Sequence, residues 1–92
     1  MTVTKITRWK ATGKMDEIME KAREKYVPLI MAGGASSVQM VRTGELSLCV
    51  ITQYSEDAAA KAAMTDATRA QAAKEFPMVI QSTDEGEVFA SG

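Results

Sequence analysis

The stretch that decides the fold is residues 36–54, "SSVQMVRTGELSLCVITQY". Residues 36–43 and 45–54 are rich in β-branched and apolar side chains, which indicates two strands. Thr43 and Gly44 lie between them and form a short turn of the kind that closes a hairpin. The two strands are therefore predicted to be antiparallel neighbours in one sheet.

The second strand of this hairpin is apolar on both faces. Leu46, Leu48 and Val50 point to one side, and Cys49 and Ile51 point to the other. An antiparallel strand with one solvated face alternates apolar and polar residues, so both faces of this sheet need a cover. We expect a second copy of the chain to cover one face, with Cys49 and Ile51 at a sheet-to-sheet dimer interface. The alternative is that these two side chains form a small, tolerated exposed patch.

A strand and a helix are predicted before the hairpin. Residues 2–11 alternate, with Trp9 on one side and Arg8 on the other, as in a strand. From Met15 onward apolar residues recur at spacings of three or four, which predicts one face of a helix: Met15, Ile18, Met19, Ala22, Tyr26 and Leu29. Pro28 is expected to kink or end this helix. Gly33 and Gly34 follow a helix and precede a strand, so they indicate a helix stop and not a phosphate-binding loop.

The segment after the hairpin completes the order of elements. Ser55 is a good N-cap for an alanine-rich helix that is predicted to extend to about Lys74. Pro77 ends this helix, and we expect a short helical or irregular piece followed by a last strand over residues 87–90. The fold class is then α+β: a ferredoxin-like β-α-β-β-α-β domain spanning residues 1–92, with an antiparallel sheet and two helices on one face.

Composition excludes several classes of protein. The net charge is −1 and no basic stretch occurs, so we expect no nucleic-acid partner. A single cysteine excludes a disulfide-rich scaffold. The first ten residues carry charges where a signal peptide needs an apolar core, and apolar runs are too short to span a membrane. These features predict a soluble, cytoplasmic protein.

Two segments carry a resemblance to a known family. Residues 6–22, "ITRWKATGKMDEIMEKA", are a strand, a Gly-Lys turn and an acidic-basic helix, and residues 48–63, "LCVITQYSEDAAAKAA", lead from a strand through a capping serine into a helix. With this order of elements, the chain resembles the dimeric α/β-barrel superfamily, and its pattern is similar to the small antibiotic-biosynthesis-monooxygenase-type domains. The resemblance implies a homodimer formed through the sheet.

The resemblance leaves the activity open. The superfamily includes cofactor-independent monooxygenases, haem proteins, isomerases and proteins with no assigned activity. The chain has no histidine, so it is a poor match for members that use an axial or acid-base histidine. The favoured hypothesis is a protein that binds a small apolar or aromatic molecule between sheet and helices. The alternatives are a cofactor-independent monooxygenase or isomerase, and a purely structural or interaction module.

Six side chains are candidates to line the ligand pocket. They are the strand arginines, the large aromatics and two residues of the hairpin: Arg8, Trp9, Tyr26, Met40, Arg42 and Gln53. The arginines suit a carboxylate or phenolate, but they can equally lie at strand ends and reach water. The aromatics can equally be plain core. The carboxylates have no histidine beside them, so we expect no metal site and no cofactor.

Overall fold

The computed structural model describes residues 2–55, 67–68, 70–76 and 78–92. Four strands form one antiparallel sheet in the order β2-β3-β1-β4: β1 Val3–Ala11, β2 Ser37–Gly44, β3 Ser47–Tyr54 and β4 Met78–Glu87. The central strands β1 and β3 pair from Val3↔Tyr54 to Lys10↔Ser47. This is the sheet order of a ferredoxin-like α+β fold, as the sequence predicts.

The first helix follows β1 and consists of three continuous pieces: α1 Met15–Lys21, a π segment Ala22–Tyr26, and α2 Val27–Ala32. The N–H of Val27 donates to the carbonyl of Ala22, which is a five-residue step. Pro28 lies in the first turn of α2, where a missing N–H is tolerated. Of the two expected outcomes, a kink or an end, the helix does not end at Pro28: it is distorted by the π segment just before the proline and continues to Ala32.

The glycine pair behaves as a helix stop. Gly33 keeps right-handed helical geometry, whereas Gly34 has φ 105°, a conformation that only glycine adopts readily. The N–H of Gly33 donates to the carbonyl of Leu29, and that of Gly34 to the carbonyl of Met31. The chain then enters β2 at Ser37.

The second predicted helix falls mostly outside the described residues. Its described part, residues 67–68 and 70–75, is helical and is labelled α3 here. The predicted capping role of Ser55 concerns a helix start that lies outside the described residues.

The last strand differs from its prediction. β4 spans Met78–Glu87 and pairs with β1, so the expected irregular piece followed by a strand over residues 87–90 is wrong. Residues 88–92 are not part of a strand. A bulge opposite Arg8 and Trp9 shifts the register of β4 and breaks its alternation.

The helices pack on one face of the sheet, which we call the helix face. Its central residues alternate along β1 and β3, and the main core contains Trp9, Leu48 and Val50 from the sheet. Met15, Ile18 and Tyr26 from the first helix and Ala72 from α3 complete this core. Leu29 is 40% exposed, whereas Ile30 is buried, so the predicted apolar face is wrong in its last turn.

Candidate functional site

A pocket lies between the helices and the sheet. Its volume is about 230 Å³, and most of its lining side chains are apolar. The lining residues come from both helices and all four strands: Trp9, Met15, Ile18, Met19, Ala22, Arg23, Tyr26, Val27, Ile30, Met40, Val41, Arg42, Leu48, Val50, Thr68, Ala72, Phe76 and Met78. Concave, mainly apolar sites with a few polar groups are typical of small-molecule binding.

Trp9 is the largest side chain in the pocket and is held in a fixed orientation. It is buried, because β1 points it at the helices. Its indole Nε1–H donates to Thr7 Oγ1 at 3.0 Å, and Thr7 is itself fully buried on the same face of β1. The indole nitrogen is therefore satisfied within the strand, and the ring presents an apolar surface to the pocket.

Tyr26 joins the pocket to a polar contact between the two helices. It belongs to the π segment, and π segments occur frequently at functional sites. Its hydroxyl donates to Glu75 Oε2 on α3 in a short hydrogen bond, and its ring meets Phe76 edge to face with centroids 5.9 Å apart. Lys25 Nζ lies 3.1 Å from the same carboxylate oxygen.

The contact between Tyr26 and Glu75 shifts the pKa values of both side chains. Burial, together with the hydrogen bond to the carboxylate, raises the pKa of Tyr26 above its ordinary value. The hydrogen bonds from Tyr26 and Lys25 lower the pKa of Glu75. At neutral pH, Tyr26 is therefore a neutral proton donor and Glu75 is a carboxylate.

Four of the six predicted pocket candidates lie together in the pocket: Trp9, Tyr26, Met40 and Arg42. Arg42 stands at the end of β2, where its Nε and Nη2 donate to the carbonyls of Gly44 and Glu45 at 3.1 and 2.8 Å. Arg42 therefore lines the pocket and also lies at a strand end, the position that the alternative interpretation expected.

The other two candidates, Arg8 and Gln53, lie on the opposite face of the sheet, which we call the open face. Arg8 Nη1 pairs with Asp84 Oδ2 at 3.2 Å, and both side chains are more than half exposed. Gln53 Oε1 accepts from Ser37 Oγ at 3.1 Å. Neither side chain lines the pocket.

The two dimer-interface candidates also lie on the open face. Ile51 is half-buried and pairs with Ile6 across β1, and Cys49 pairs with Val41 across β2. Cys49 is buried within the single chain and carries a free thiol. Ile6, Cys49 and Ile51 form an apolar centre on the open face, and Val41, an exposed residue of the edge strand that also contributes to the pocket lining, borders it.

The sequence analysis missed Arg23 as a pocket residue. Arg23 lies in the π segment and lines the pocket while remaining exposed. The helical period assigns it to the polar face, and only the position of Tyr26 three residues later marks this stretch as close to the pocket.

Two further observations concern the described residues alone. No three histidine, cysteine or acidic side chains in these ranges gather where they could hold a metal ion. None of the helices within these ranges has the length and apolar character that a bilayer crossing requires.

The fold recurs in several solved structures. A protein of unknown function from Nitrosomonas europaea is 17% identical, with a TM-score of 0.68 over 99% of this chain and 92% of its own. A dimeric ferredoxin-like protein from an uncultured marine organism is 14% identical, with a TM-score of 0.67 over 99% and 98%. Rv0793 from Mycobacterium tuberculosis is 12% identical, with a TM-score of 0.70 over 99% and 98%.

These likenesses define the fold of the chain as that of a small ferredoxin-like α+β domain. No protein-family model and no curated protein match the sequence. At these levels of identity, the shared property is the fold.

Proposed function

We propose that the chain binds a small apolar or aromatic molecule in the pocket between helices and sheet, and that it acts as a homodimer joined through the open face. The observation that carries the binding function is the pocket of about 230 Å³. An engineered apolar cavity of about 150 Å³ is large enough to bind benzene, so this pocket has room for a larger, two-ring molecule. A purely structural module would gain more stability from a filled interior.

The protonation states of Tyr26 and Glu75 favour a binding function over the activity of a cofactor-independent monooxygenase or isomerase. Such an enzyme needs a general base within reach of its substrate. Among the described lining residues, Tyr26 is the titratable group nearest to that role, but its raised pKa keeps it protonated. Glu75 is ionised, yet its Oε2 already accepts from Tyr26 and Lys25, and the residue is not part of the pocket lining.

The open face supports the homodimer. Its centre is apolar and consists of Ile6, Cys49 and Ile51. Polar side chains border these residues: Arg8, which pairs with Asp84, lies opposite Cys49, and Gln53 accepts a hydrogen bond from Ser37. An apolar core with a polar rim is the usual anatomy of a protein interface. A neighbour of the same fold is itself described as dimeric.

The two parts of the proposal are compatible in space. Pocket residues such as Trp9, Leu48 and Val50 lie on the helix face, whereas Cys49 and Ile51 lie on the open face. A dimer formed through the open face therefore leaves one pocket accessible in each copy.

The binding function is tested by filling the pocket. Ala72 lines the pocket and is 6% exposed, whereas its neighbour Ala73 is exposed and outside the lining. We expect wild-type protein to bind the neutral two-ring probe 2-naphthamide in calorimetric titrations, and Ala72→Leu to weaken binding about tenfold or more by occupying the space, a cost of about 1.4 kcal/mol. The matched control Ala73→Leu should bind as wild type does.

Folding of the variants is checked in the same experiment by their melting temperatures. Ala22→Leu fills the pocket from the π segment and provides a second, independent obstruction. Wild-type protein that gives no heat with 2-naphthamide, or folded pocket-filling variants that bind it unchanged, would contradict the proposed site.

A further inference from the structure

The charge of the pocket lining is one-sided. Among the lining residues that belong to the described part of the chain, only Arg23 and Arg42 are charged, and both are exposed. The deepest lining side chains, such as Trp9, Ile18 and Tyr26, are almost completely buried. The pocket thus combines an apolar floor with a cationic rim.

The two arginines approach the pocket from different elements. Arg23 belongs to the π segment of the first helix, and Arg42 lies near the end of β2. A ligand in this pocket therefore lies next to two arginine residues that belong to different elements. Both groups contribute to the same lining, although 19 positions separate them in the sequence.

Neither positive charge is neutralised within the described residues. The hydrogen bonds of Arg42 go to two backbone carbonyls, which fix its guanidinium group without cancelling its charge. Arg23 forms no hydrogen bond or ion pair with any residue of the described ranges. Glu75, the carboxylate bound to the lining residue Tyr26, also accepts a hydrogen bond from Lys25 and contacts neither arginine.

We propose that the pocket takes an amphipathic anion, a flat apolar molecule carrying one carboxylate, and that Arg23 and Arg42 bind this carboxylate at the rim. The planar guanidinium fork matches a carboxylate in shape and charge better than an ammonium group does. The fixed position of Arg42 reduces the entropy that is lost when the contact forms. This inference rests on the proposed binding function, since it defines the ligand of the same pocket.

The test compares two probes of nearly equal shape. 2-Naphthoate carries a carboxylate, and 2-naphthamide replaces it with a neutral amide. Calorimetric titration of wild-type protein at neutral pH and low salt should give about tenfold tighter binding for 2-naphthoate, the effect of one charge-assisted contact. Added salt should weaken binding of the naphthoate more than binding of the amide, because it screens exposed charges.

Three variants locate the origin of this preference. Arg23→Gln is expected to lower the affinity for 2-naphthoate several-fold, and the double variant with Arg42→Gln should remove the preference altogether. Affinity for 2-naphthamide should stay within about twofold of the wild-type value, because the apolar floor is unchanged. Lys21→Gln, which removes an exposed positive charge from α1 outside the lining, is the matched control and should behave as wild type does.

The outcomes separate this inference from the proposed function. Equal binding of both probes by wild-type protein overturns the anion inference and leaves the apolar binding function standing. A preference for 2-naphthoate that survives in the double variant also overturns it, because the carboxylate would then be bound elsewhere. Absence of binding for both probes overturns the proposed function and the inference with it. Arg23→Gln removes no contact within the described residues, so this variant should fold as wild type does. A change in its affinity therefore reports on the lost charge.

Discussion

Two adjacent glycines at the end of α2 differ in the conformation they require. Gly33 has φ −73°, which any L-residue adopts, whereas Gly34 has φ 105°. The sequence predicts the stop from the position of the pair between a helical and a strand pattern. It does not tell which glycine turns the chain, because that depends on the last hydrogen bonds of the helix.

Substitution by alanine distinguishes the two positions. Gly34→Ala places a Cβ on a backbone in the left-handed region and is expected to lower the free energy of unfolding by about 1–2 kcal/mol. Gly33→Ala is the matched control and should be neutral or stabilising by about 0.5 kcal/mol, because its conformation suits alanine. Urea denaturation of both variants measures the difference. Equal effects at the two sites would argue against the assigned φ of Gly34.

Single residues also show how far the pocket follows from sequence. The alternation of β1 predicts that Trp9 and Arg8 point to opposite faces, which the structure confirms. This alternation does not predict which of the two faces is covered by the helices. Arg23 stayed outside the predicted set because a charged residue on a helix is ordinarily solvated, and its place in the pocket lining is a long-range property.

At the scale of elements, Tyr26 and Glu75 connect the first helix to α3. Tyr26 is buried beneath the contact, and Lys25 reaches the same carboxylate from the side. The lowered pKa of Glu75 means that the folded chain favours the ionised carboxylate. Its stabilising effect is therefore fully present above the ordinary glutamate pKa of 4.5 and is lost as the pH falls through the lower folded value.

We expect Glu75→Gln to reduce stability at neutral pH and to have less effect in acid. The difference in unfolding free energy between wild type and variant should be constant above about pH 5 and shrink progressively below pH 4.5. Glu24→Gln, which alters an exposed glutamate of the π segment, is the control for general charge effects. A difference that stays constant down to pH 2 would contradict the assigned contact.

Elements differ in how well their sequence predicts them. The strands of the β2 and β3 hairpin are predicted closely, because β3 is a central strand whose two apolar faces are visible in the sequence. The predicted turn is wrong: Thr43 and Gly44 belong to β2, and the turn consists of Glu45 and Leu46. β4 is an edge strand with mostly exposed side chains, and a bulge interrupts its alternation, so its pattern resembles that of a loop. The π segment just before Pro28 is not predicted, because no periodicity in this sequence marks it.

At the scale of the whole molecule, the open face determines the proposed assembly. Cys49 is already buried in the single chain, so a second copy would cover little of its surface. Ile51 is only half-buried and lies beside Ile6 at the centre of the apolar patch. Ile51 is therefore the position at which a charge should interfere most with pairing of two sheets.

The dimer is tested by solution mass. Light scattering of wild-type protein should give a mass near twice 9.9 kDa, and Ile51→Glu should reduce it to about 9.9 kDa. Leu29→Glu is the control, because it places the same charge on an exposed apolar position of α2, away from the open face. A wild-type mass of 9.9 kDa, or an Ile51→Glu variant that remains at twice this value, would rule out the proposed interface.

The short turn between β2 and β3 limits how the chain can change in length. Only Glu45 and Leu46 separate Gly44 from Ser47, and the register of β3 follows from this turn. If one inserted or deleted residue slid β3 by a single position, Leu48 and Val50 would exchange faces with Cys49 and Ile51. The floor of the pocket and the proposed dimer face would then be lost in one event. Among sequences that share this architecture, we therefore expect the turn to vary in its residues while its length stays constant.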